Sequence, residues 1–397
     1  MFEPYAAVVA GHLCLDIIPD LTINARSRFD TLFVPGHLTE VGPVTLSTGG
    51  PVSNTGLAMN KLGIRTQLMG KVGNDLFGQA VRQVVASYGA DLADGMLVDE
   101  TTSTSYTVII NPPGVDRTFL HCPGANDTFC ADDVRYDVLA GVRLFHFGYP
   151  PIMRQMYIND GVQLVEVFQR ARATGVTTSL DMTMPDQSSA AGRADWVSLL
   201  RATLPCVDIF MPSIEEILYM LRRATFDEFV CAAGGGSWVS RVTPELLSDV
   251  GQQLIEMGAK IVGLKLGDRG LYLRTADRSA METLGRARPS AVQAWANREM
   301  WAPCFEVEVV GTTGSGDATI AGFLSALLRD RPVEEAITAA VAVGACNVQA
   351  ADALSGIRPW GEPLRRVERG WPRHPLTLPS PGWSLDADHQ LWVGPAG

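Results

Sequence analysis

A glycine-rich loop between two apolar patterns, over residues 305–328, limits the folds open to this sequence more than any other segment. Residues 305–309 alternate apolar and charged side chains, which predicts a strand with one buried face. After the loop, apolar residues recur mostly at helical spacing, which predicts a buried helix. Gly311, Gly314 and Gly316 would let backbone N–H groups converge at the positive end of that helix. The loop therefore predicts an anion-binding site.

A carboxylate, Asp317, stands at the mouth of this predicted anion site. A site that only held phosphate would not gain from a negative charge beside it. A carboxylate is useful where a hydroxyl must lose its proton as it attacks phosphorus. Alternatively, Asp317 caps the helix and the glycines form a tight turn. From this segment alone, both interpretations remain open.

The composition is that of a globular, enzyme-like chain. Its 397 residues, 46% of them hydrophobic, allow one large α/β domain with appendages or two domains. The net charge of −11 argues weakly against nucleic acid or an anionic membrane as the main partner. The seven cysteines include no C-x-x-C pair, so neither a disulfide framework nor a zinc site is indicated.

The amino terminus is unlike a signal peptide. It has no basic region, and the apolar run that follows is broken by Gly11, His12 and Asp16. No uninterrupted apolar segment approaches the length needed to span a bilayer. A cytoplasmic location, with no membrane partner, is therefore expected.

From about residue 131, strand-like and helix-like patterns alternate along the chain. This order predicts a mainly parallel sheet covered by helices on both faces, a three-layer α/β/α sandwich. Segments at about residues 30–48 and 101–122 are predicted to form a small separate sheet, with the turn sequence Asn-Pro-Pro-Gly at 111–114. Such a sheet could act as a lid that excludes water from a reaction.

Polar residues near the amino terminus suggest a second part of the site. Residues 6–9 are predicted to form the first strand, and Asp16 follows its end, where ligands of α/β proteins usually bind. Gly49 and Gly50 would let a ligand approach the main chain, and Asn54 could offer a donor and an acceptor to a polyol. The alternatives, a solvated loop carboxylate and a helix-capping asparagine, remain open.

Several later segments allow both a functional and a purely structural interpretation. Glu216 opens a predicted helix, where acids usually serve the helix dipole. The alanine- and valine-rich residues 333–353 predict a helix that packs in the core or admits an adenine ring. Residues 222–241 and 275–302 read as insertion loops. The proline- and tryptophan-rich residues 358–397 read as an irregular appendage that packs on its own domain or on a second subunit.

Three motifs, in this order, resemble the ribokinase family of carbohydrate kinases, also called the PfkB family. The match extends from about residue 8 to residue 356. Motifs that are weak one by one become specific when all of them occur in the right order. The three motifs are Gly49-Gly50 with Asn54 and Leu62-Gly63, the run GNDLFG at 73–78, and the run GTTGSGD at 311–317.

The resemblance implies a kinase domain over residues 1–357, followed by the extension 358–397. It implies phosphoryl transfer from ATP, with Mg²⁺, to a hydroxyl of a sugar, with Asp317 as the general base. It also makes a homodimer through the lid sheet an expectation. The other implied site residues are Gly314, Ser315 and Gly316 for the anion hole; Asp16, Gly49, Gly50 and Asn54 for the sugar; Lys265, Gly267, Thr313 and Asn347 for the nucleotide; and Glu216 for magnesium.

The sequence departs from the family pattern at three positions. Gly311 replaces an Asp that helps to hold a monovalent cation in related kinases, which argues against potassium activation. Ser213 replaces the Asn of the magnesium-linked N-x-x-E motif. Lys265 replaces the usual Thr or Ser, and its charge could reach a phosphate or be solvated.

Three other functions would make different demands on these residues. A nucleoside kinase on the same fold would be favoured by an aromatic pair able to sandwich a base, and Tyr106 and Phe119 are the candidates in the lid. A catalytically weak regulatory protein would fit the altered signature positions, but the retained Asp317 argues against it. An NAD-binding dehydrogenase is disfavoured, because the glycine loop lacks the third glycine of G-x-G-x-x-G.

Overall fold

A computed structural model of the chain describes residues 5–21, 34–111, 118–378 and 380–395. The strands are β1 (Ala7–Gly11), β2 (Cys14–Pro19), β3 (Val44–Gly49), β4 (Thr66–Met69), β5 (Lys71–Gly73), β6 (Leu97–Asp99), β7 (Tyr106–Ile110), β8 (Thr118–Cys122), β9 (Leu144–Gly148), β10 (Thr177–Asp181), β11 (Ile209–Phe210), β12 (Ile261–Lys265), β13 (Leu271–Thr275), β14 (Glu299–Ala302), β15 (Ser384–Asp386) and β16 (Leu391–Val393). The helices are α1 (Pro51–Lys61), α2 (Leu76–Ala86), α3 (Tyr136–Leu139), α4 (Val162–Ala173), α5 (Trp196–Thr203), α6 (Ile214–Leu221), α7 (Arg223–Ala233), α8 (Pro244–Glu256), α9 (Arg278–Met281), α10 (Val292–Trp295), α11 (Ser315–Leu328), α12 (Val333–Asn347) and α13 (Gly361–Glu368). Within these ranges, no helix has both the length and the apolar character needed to cross a membrane.

Among the described residues, the central sheet contains ten strands in the order β15-β16-β14-β13-β12-β11-β10-β9-β1-β4. The strands from β12 through β11, β10, β9 and β1 to β4 are all parallel to their neighbours. Strands β13, β14, β16 and β15 continue the sheet with antiparallel pairing. Strand β1 is buried along its whole length, as expected of a strand covered on both faces. The predicted mainly parallel sheet is confirmed.

Helices cover both faces of the central sheet and form two hydrophobic clusters with it. Val9 of β1 belongs to the cluster that contains residues of α1, α11 and α12, whereas Val8 belongs to the cluster that contains residues of α4, α5 and α8. This alternation follows from the two-residue period of a strand, which sends successive side chains to opposite faces. The predicted three-layer α/β/α sandwich is confirmed.

A smaller sheet, in the order β3-β2-β7-β8, stands apart from the central one and confirms the predicted second sheet. Within the predicted lid segment 30–48, the described part contains a strand only at Val44–Gly49. The remainder of the first lid prediction before residue 34, and the Asn-Pro-Pro-Gly turn from residue 112 onward, lie outside the described residues. Strand β2 was not predicted as a separate element, and it joins this sheet by pairing with β3 and β7.

The strand predicted at residues 305–309 is wrong. Strand β14 ends at Ala302, and Phe305 then makes only an isolated bridge with Arg373. The Phe305 ring stacks on Trp371 with ring centroids 4.5 Å apart, while Val309 is 60% exposed. Phe305 is therefore packed whereas Val309 faces solvent. No described strand forms a continuous series of backbone hydrogen bonds with this segment.

The carboxyl-terminal segment extends the central sheet, so its prediction as irregular structure is wrong. Strand β16 pairs with β14, and β15 pairs with β16. The Trp383 ring lies 6.4 Å from Tyr272 and 6.5 Å from Trp301, measured between ring centroids. The tryptophan thus packs on the chain's own sheet.

The residues predicted as insertion loops also hold regular structure, namely α7 in the first segment and α9, α10 and β14 in the second. The domain division after residue 357 stays a prediction.

Candidate active site

A helix, α11, follows the glycine loop as predicted, but it begins at Ser315 rather than after Asp317, so Asp317 lies in its first turn. Gly314 is the N-cap with a φ of 70°, a left-handed conformation that favours glycine, and Ser315 and Gly316 are the first two helical residues. A Cβ at Gly314 would lie 2.6 Å from the Cβ of Ala353, so the position also has no room for a side chain. Because the first N–H groups of a helix have no partner within it, this end can bind an anion.

The Asp317 carboxylate is buried, and hydrogen bonds hold both of its oxygens. Asn54 Nδ2 donates to Oδ2 over 3.0 Å, and Thr55 Oγ1 donates to Oδ1 over 3.1 Å, both from helix α1. The Tyr149 hydroxyl also donates to Oδ2, over 3.0 Å. Burial raises the pKa of Asp317, while these hydrogen bonds and the positive charge of Lys265 oppose the rise. The carboxylate is therefore fixed in orientation and more basic than usual.

Tyr149 and Thr55 are functional candidates that the sequence analysis missed. Tyr149 directly follows β9 and has a φ of 66°, which is uncommon for a residue other than glycine. Its N–H donates to the carbonyl of Asp181 over 3.3 Å. The available sequence signal for Tyr149 is its place after Gly148 at the carboxyl end of a predicted strand.

Asp16 lies inside β2 of the small sheet, so its predicted place at the end of the first strand is corrected. The chain turns after β1, and Asp16 pairs with Ser47 of β3. A Cβ at Gly49 would lie 2.5 Å from Asp16 Oδ2, so the carboxylate covers a position that only glycine leaves open. Burial raises the pKa of Asp16 to about 6, and a hydrogen bond from Cys14 opposes the rise.

Replacing Gly50 with Ala is expected to lower the free energy of unfolding by about 1–3 kcal/mol. Gly50 is the N-cap of α1 with a φ of 89°, and a Cβ there would lie 2.5 Å from the carbonyl oxygen of His12. Chemical denaturation measures the change. Gly236→Ala is the matched control, because a Cβ there would meet its nearest atom, the Ala233 oxygen, at 3.6 Å. Equal stability of the two variants would contradict the prediction.

Lys265 and Asp181 form a buried ion pair at the carboxyl edge of the central sheet. They end β12 and β10, and Lys265 Nζ lies 2.6 Å from Asp181 Oδ1. Burial lowers the pKa of Lys265, but the charges of Asp181 and Glu216 outweigh this effect and raise it. A Cβ at Gly316 would lie 3.5 to 3.6 Å from the end of the Lys265 side chain. A positive charge therefore lies beside the start of α11.

Glu216 forms a capping box at the start of α6. Its Oε2 accepts the Ser213 N–H over 2.7 Å, and Ser213 Oγ accepts the Glu216 N–H over 3.1 Å. Across the described ranges, no group of three or more His, Cys, Asp and Glu residues could hold a metal ion. Because Mg²⁺ keeps several waters and often takes only one or two protein carboxylates, Glu216 stays a predicted magnesium contact.

A cavity opens between the end of β12, the segment after β14, and helices α11 and α12. It has a volume of about 260 Å³ and opens to solvent. Lys265, Gly267, Ser315 and Gly316 contribute to its lining. Its apolar lining consists of Phe305, Val307, Val309, Val341, Ala345 and Val348. The cavity thus joins an apolar wall to the predicted anion site.

Two predicted nucleotide residues do not line this cavity. Thr312 contributes to the lining, whereas its neighbour Thr313 does not. Asn347 is fully buried at the end of α12, and its Nδ2 donates to the carbonyl of Ala353 over 2.7 Å. Ala353 packs against Gly314, so the hydrogen bond from Asn347 to Ala353 stabilises the glycine loop indirectly.

The two aromatic residues named for a nucleoside base lie on opposite faces of the small sheet, so they do not form a pair that could sandwich a base. Tyr106 and Phe119 lie on β7 and β8, where Tyr106 pairs with Cys122 and Phe119 pairs with Ile109. The Tyr106 ring instead contacts Phe77 edge to face, with centroids 5.4 Å apart.

Comparison with known proteins shows the family of the chain. A family model described as pfkB family carbohydrate kinase matches residues 13–359. An uncharacterized sugar kinase of Archaeoglobus fulgidus is 25% identical over 279 residues, which cover 70% of this chain and 89% of the relative. Fructokinase-2 of rice (Oryza sativa) is 22% identical over 333 residues, covering 83% of this chain and 81% of the relative.

Two further similarities cover most of the chain. A nucleoside kinase of Methanothermobacter thermautotrophicus is 24% identical over 378 residues, which cover 94% of this chain and 99% of the relative. The structure of a ribokinase from Arabidopsis thaliana, complexed with ribose and ATP, aligns with a TM-score of 0.64 at 19% identity over 91% of this chain and 98% of that one. At this identity the structural likeness shows the fold.

Proposed function

The chain belongs to the pfkB family of carbohydrate kinases, and from this premise we propose that it transfers the terminal phosphoryl group of ATP to a hydroxyl of a small sugar. The observation that carries the proposal is the position of Asp317. Its carboxylate contacts Asn54 on the predicted sugar side and sits in the first turn of α11 on the predicted phosphate side. A base between an acceptor site and an anion site is the arrangement that phosphoryl transfer to an alcohol requires.

Asp317 accepts the proton of the attacking hydroxyl in this proposal. Burial raises its pKa, which strengthens it as a base. Asn54 and Thr55 hold its two oxygens, so the carboxylate faces one fixed direction. The Tyr149 hydroxyl donates to Oδ2 and restricts that direction further. Positioning of this kind supplies much of the rate acceleration in reactions of two bound substrates.

The phosphate side relies on fixed positive partial charges and on Lys265. The N–H groups at the start of α11 would bind the phosphoryl oxygens, and Gly316 would let those oxygens approach closely. Lys265, next to Gly316, adds a full charge where negative charge spreads over the transferred group. The charge is in place before the reaction, because Asp181 holds the ammonium group.

The cavity next to this site accommodates the nucleotide in our proposal. Its apolar residues Val341 and Val348 supply surface for a flat base, and Gly267 leaves the end of β12 open, since a Cβ there would meet no atom within 4 Å. Glu216 is the proposed protein contact to magnesium, acting through bound water. When bound, ATP supplies the phosphoryl group and Mg²⁺ neutralises charge on its oxygens.

The test is ADP release from Mg-ATP in the presence of D-fructose, D-ribose, 2-dehydro-3-deoxygluconate or adenosine. We expect turnover with at least one sugar and the appearance of a phosphate ester in equal amount. Turnover with adenosine and with no sugar would instead establish the nucleoside kinase alternative. ATP binding without any phosphate ester would contradict the proposed function.

The rate constant kcat/KM for the sugar is expected to fall as the pH drops through about 6. Burial raises the pKa of Asp16 to about 6, and in our proposal its ionised carboxylate accepts a sugar hydroxyl. Asp317, whose pKa is also raised, loses its base form in the same direction. Asp16→Asn should remove the inflection near this pH and lower kcat/KM. A flat wild-type profile between about pH 5 and pH 7 would contradict the assignment.

The exposed ends of one apolar row on the small sheet are the proposed dimer contact, while Ile17 within the row also packs against the core. Leu46, Ile17, Val108 and Leu120 stand in one row across its four strands. Leu46 is 46% exposed and Leu120 is 55% exposed. An exposed apolar row of this kind is typical of a protein interface. A second copy of the chain would cover it.

Leu120→Glu is expected to convert a dimer to a monomer, because it places a charge in the apolar row. Light scattering coupled to gel filtration measures the molecular mass. Leu385→Glu is the control, since Leu385 is similarly exposed, at 56%, but lies on β15 at the far edge of the central sheet. A wild-type monomer, or a Leu120→Glu variant that stays dimeric, would contradict this interface.

A further inference from the structure

His12 is a buried side chain that the mechanism described above does not use. It follows β1 directly, is 2% exposed, and its backbone N–H donates to the carbonyl of Gly148 over 3.3 Å. Neither ring nitrogen, Nδ1 or Nε2, has a hydrogen-bond partner within the described ranges of the chain. Buried polar atoms are nearly always paired, so two unpaired nitrogens on one ring are unusual. Because both nitrogens have almost no accessible surface, a ligand would pair with them only after the neighbouring groups move apart.

The surroundings of His12 place it beside the proposed sugar site. A Cβ on Gly50 would lie 2.6 Å from Nδ1 of His12, just as a Cβ on Gly49 would lie 2.5 Å from Asp16 Oδ2. His12 and Asp16 therefore cover two successive glycines of the substrate motif. The Tyr149 ring, whose hydroxyl contacts Asp317, has its centroid 6.4 Å from that of His12. The Tyr149 side chain thus connects the surroundings of His12 with Asp317.

The small sheet also reaches His12. His121 of β8 has its ring centroid 5.2 Å from the His12 ring, and its Nδ1 lies 3.0 Å from Thr107 Oγ1 of β7. The two imidazoles therefore meet where the small sheet faces the central domain. A ligand bound next to His12 would contact both parts of the molecule.

We propose that His12 binds a non-reacting hydroxyl of the sugar and selects for a neutral polyol that carries this hydroxyl. A neutral imidazole offers one N–H donor and one acceptor nitrogen, which is the complement of a hydroxyl group. Asp16 offers acceptors only, so the two side chains together recognise a pair of hydroxyls. The inference rests on the proposed sugar kinase activity and extends it to the substrate's chemistry.

The protonation state of His12 supports this role. Burial lowers the pKa of His12 well below its ordinary value, and the neighbouring His121 lowers it further. Burial also lowers the pKa of His121, with Asp127 opposing. His12 therefore stays neutral at physiological pH and keeps both its donor and its acceptor. A charged imidazole would have two donors and no acceptor.

The proposed selectivity for the hydroxyl follows from the cost of leaving His12 nitrogens unpaired when the substrate lacks that hydroxyl. A deoxy sugar would leave buried nitrogens of His12 without partners, and a site built to bind a hydroxyl discriminates strongly against an analogue that lacks it. We expect wild-type kcat/KM for the deoxy analogue to be lower by roughly 10- to 100-fold. A His12→Ala variant has no such atoms to leave unpaired, so the discrimination should largely disappear.

The experiment uses either D-fructose or D-ribose, whichever the wild type phosphorylates faster. The chosen sugar is compared with each of its monodeoxy analogues. Steady-state kinetics of the wild type, His12→Ala and His12→Asn are compared, with the exposed His389→Ala as the control. For His12→Ala we expect KM to rise about tenfold with kcat little changed, as for a lost binding contact. Because Asn also has a donor and an acceptor, His12→Asn should recover part of the discrimination.

Each outcome decides between alternatives. Loss of discrimination in His12→Ala for one deoxy analogue, and not for the others, identifies the hydroxyl that His12 binds. Unchanged discrimination against every analogue overturns the inference while leaving the sugar kinase activity intact. If the wild type phosphorylates neither sugar but does phosphorylate 2-dehydro-3-deoxygluconate, the neutral-polyol selection is wrong. If it phosphorylates none of these compounds, the proposed function itself fails.

Discussion

Asp317→Asn is expected to lower kcat by about 10²- to 10⁴-fold, the usual contribution of a general base. The substituted amide has nearly the same shape but cannot accept the proton of the attacking hydroxyl. Its contacts with Thr55 and Tyr149 can persist, because each hydroxyl can donate to or accept from an amide. Substrate binding should therefore change much less than turnover. Steady-state kinetics and isothermal titration with ATP measure the two quantities separately.

The control for this variant is Asp137→Asn. Asp137 has a side chain that is 70% exposed and pairs with Arg135 on the surface, so its loss should leave kcat unchanged. A fall of less than tenfold in Asp317→Asn would mean that proton removal is not the task of this carboxylate. Loss of ATP binding in the same variant would instead assign Asp317 a structural role.

Lys265→Met is expected to lower kcat/KM for ATP by about 10²- to 10³-fold, the cost of removing one preorganised charge-stabilising group. Lys265 lies against Gly316 at the start of α11, where negative charge develops during transfer. Methionine keeps much of the length and apolar volume of lysine, so the change isolates the charge. The measurement is the initial rate as a function of Mg-ATP concentration.

The same substitution also leaves Asp181 without its cation, and this effect must be separated from catalysis. Asp181 is fully buried, and its Oδ2 has no hydrogen-bond partner among the residues described. Breaking a buried pair on one side typically costs about 3–5 kcal/mol of stability. The double variant Lys265→Met with Asp181→Asn removes both charges, so it should recover stability but not kcat/KM. Recovery of both would show that Lys265 only neutralises Asp181.

The sequence predicted the layers of this fold because its patterns are local. The apolar runs at β1 and β9 mark strands buried on both faces, and a helix follows the glycine loop as predicted, although α11 begins at Ser315 rather than after Asp317. Gly49 and Gly50 were also predictable as points of close approach, since glycine is the residue that such points require. These features need no knowledge of which distant segments meet.

The rest of the site depends on contacts between distant segments. Tyr149 and Asp181 contact Asp317 and Lys265 only because β9, β10 and β12 end at the same edge of the sheet. The sequence marks each of them simply as a residue at a strand end. Asp16 was misplaced for a related reason, because β1 and β2 are separated by a two-residue turn that their apolar pattern does not reveal.

Tertiary packing also overrode local patterns elsewhere. The alternation at residues 305–309 suggested a strand, yet Phe305 stacks on Trp371 from the carboxyl-terminal segment and the following residues are left unpaired with any strand. That segment, with its many prolines, still forms β15 and β16, because the antiparallel edge of the sheet was open to receive them.

The most direct test of the account is a crystal structure with D-fructose or D-ribose and a non-hydrolysable ATP analogue. We expect one sugar hydroxyl within about 3.2 Å of Asp317 and in line with the terminal phosphorus, whose oxygens contact Lys265 and the start of α11. A second hydroxyl should contact His12. A sugar bound away from Asp317, or a terminal phosphate remote from α11, would contradict the assignment of this site.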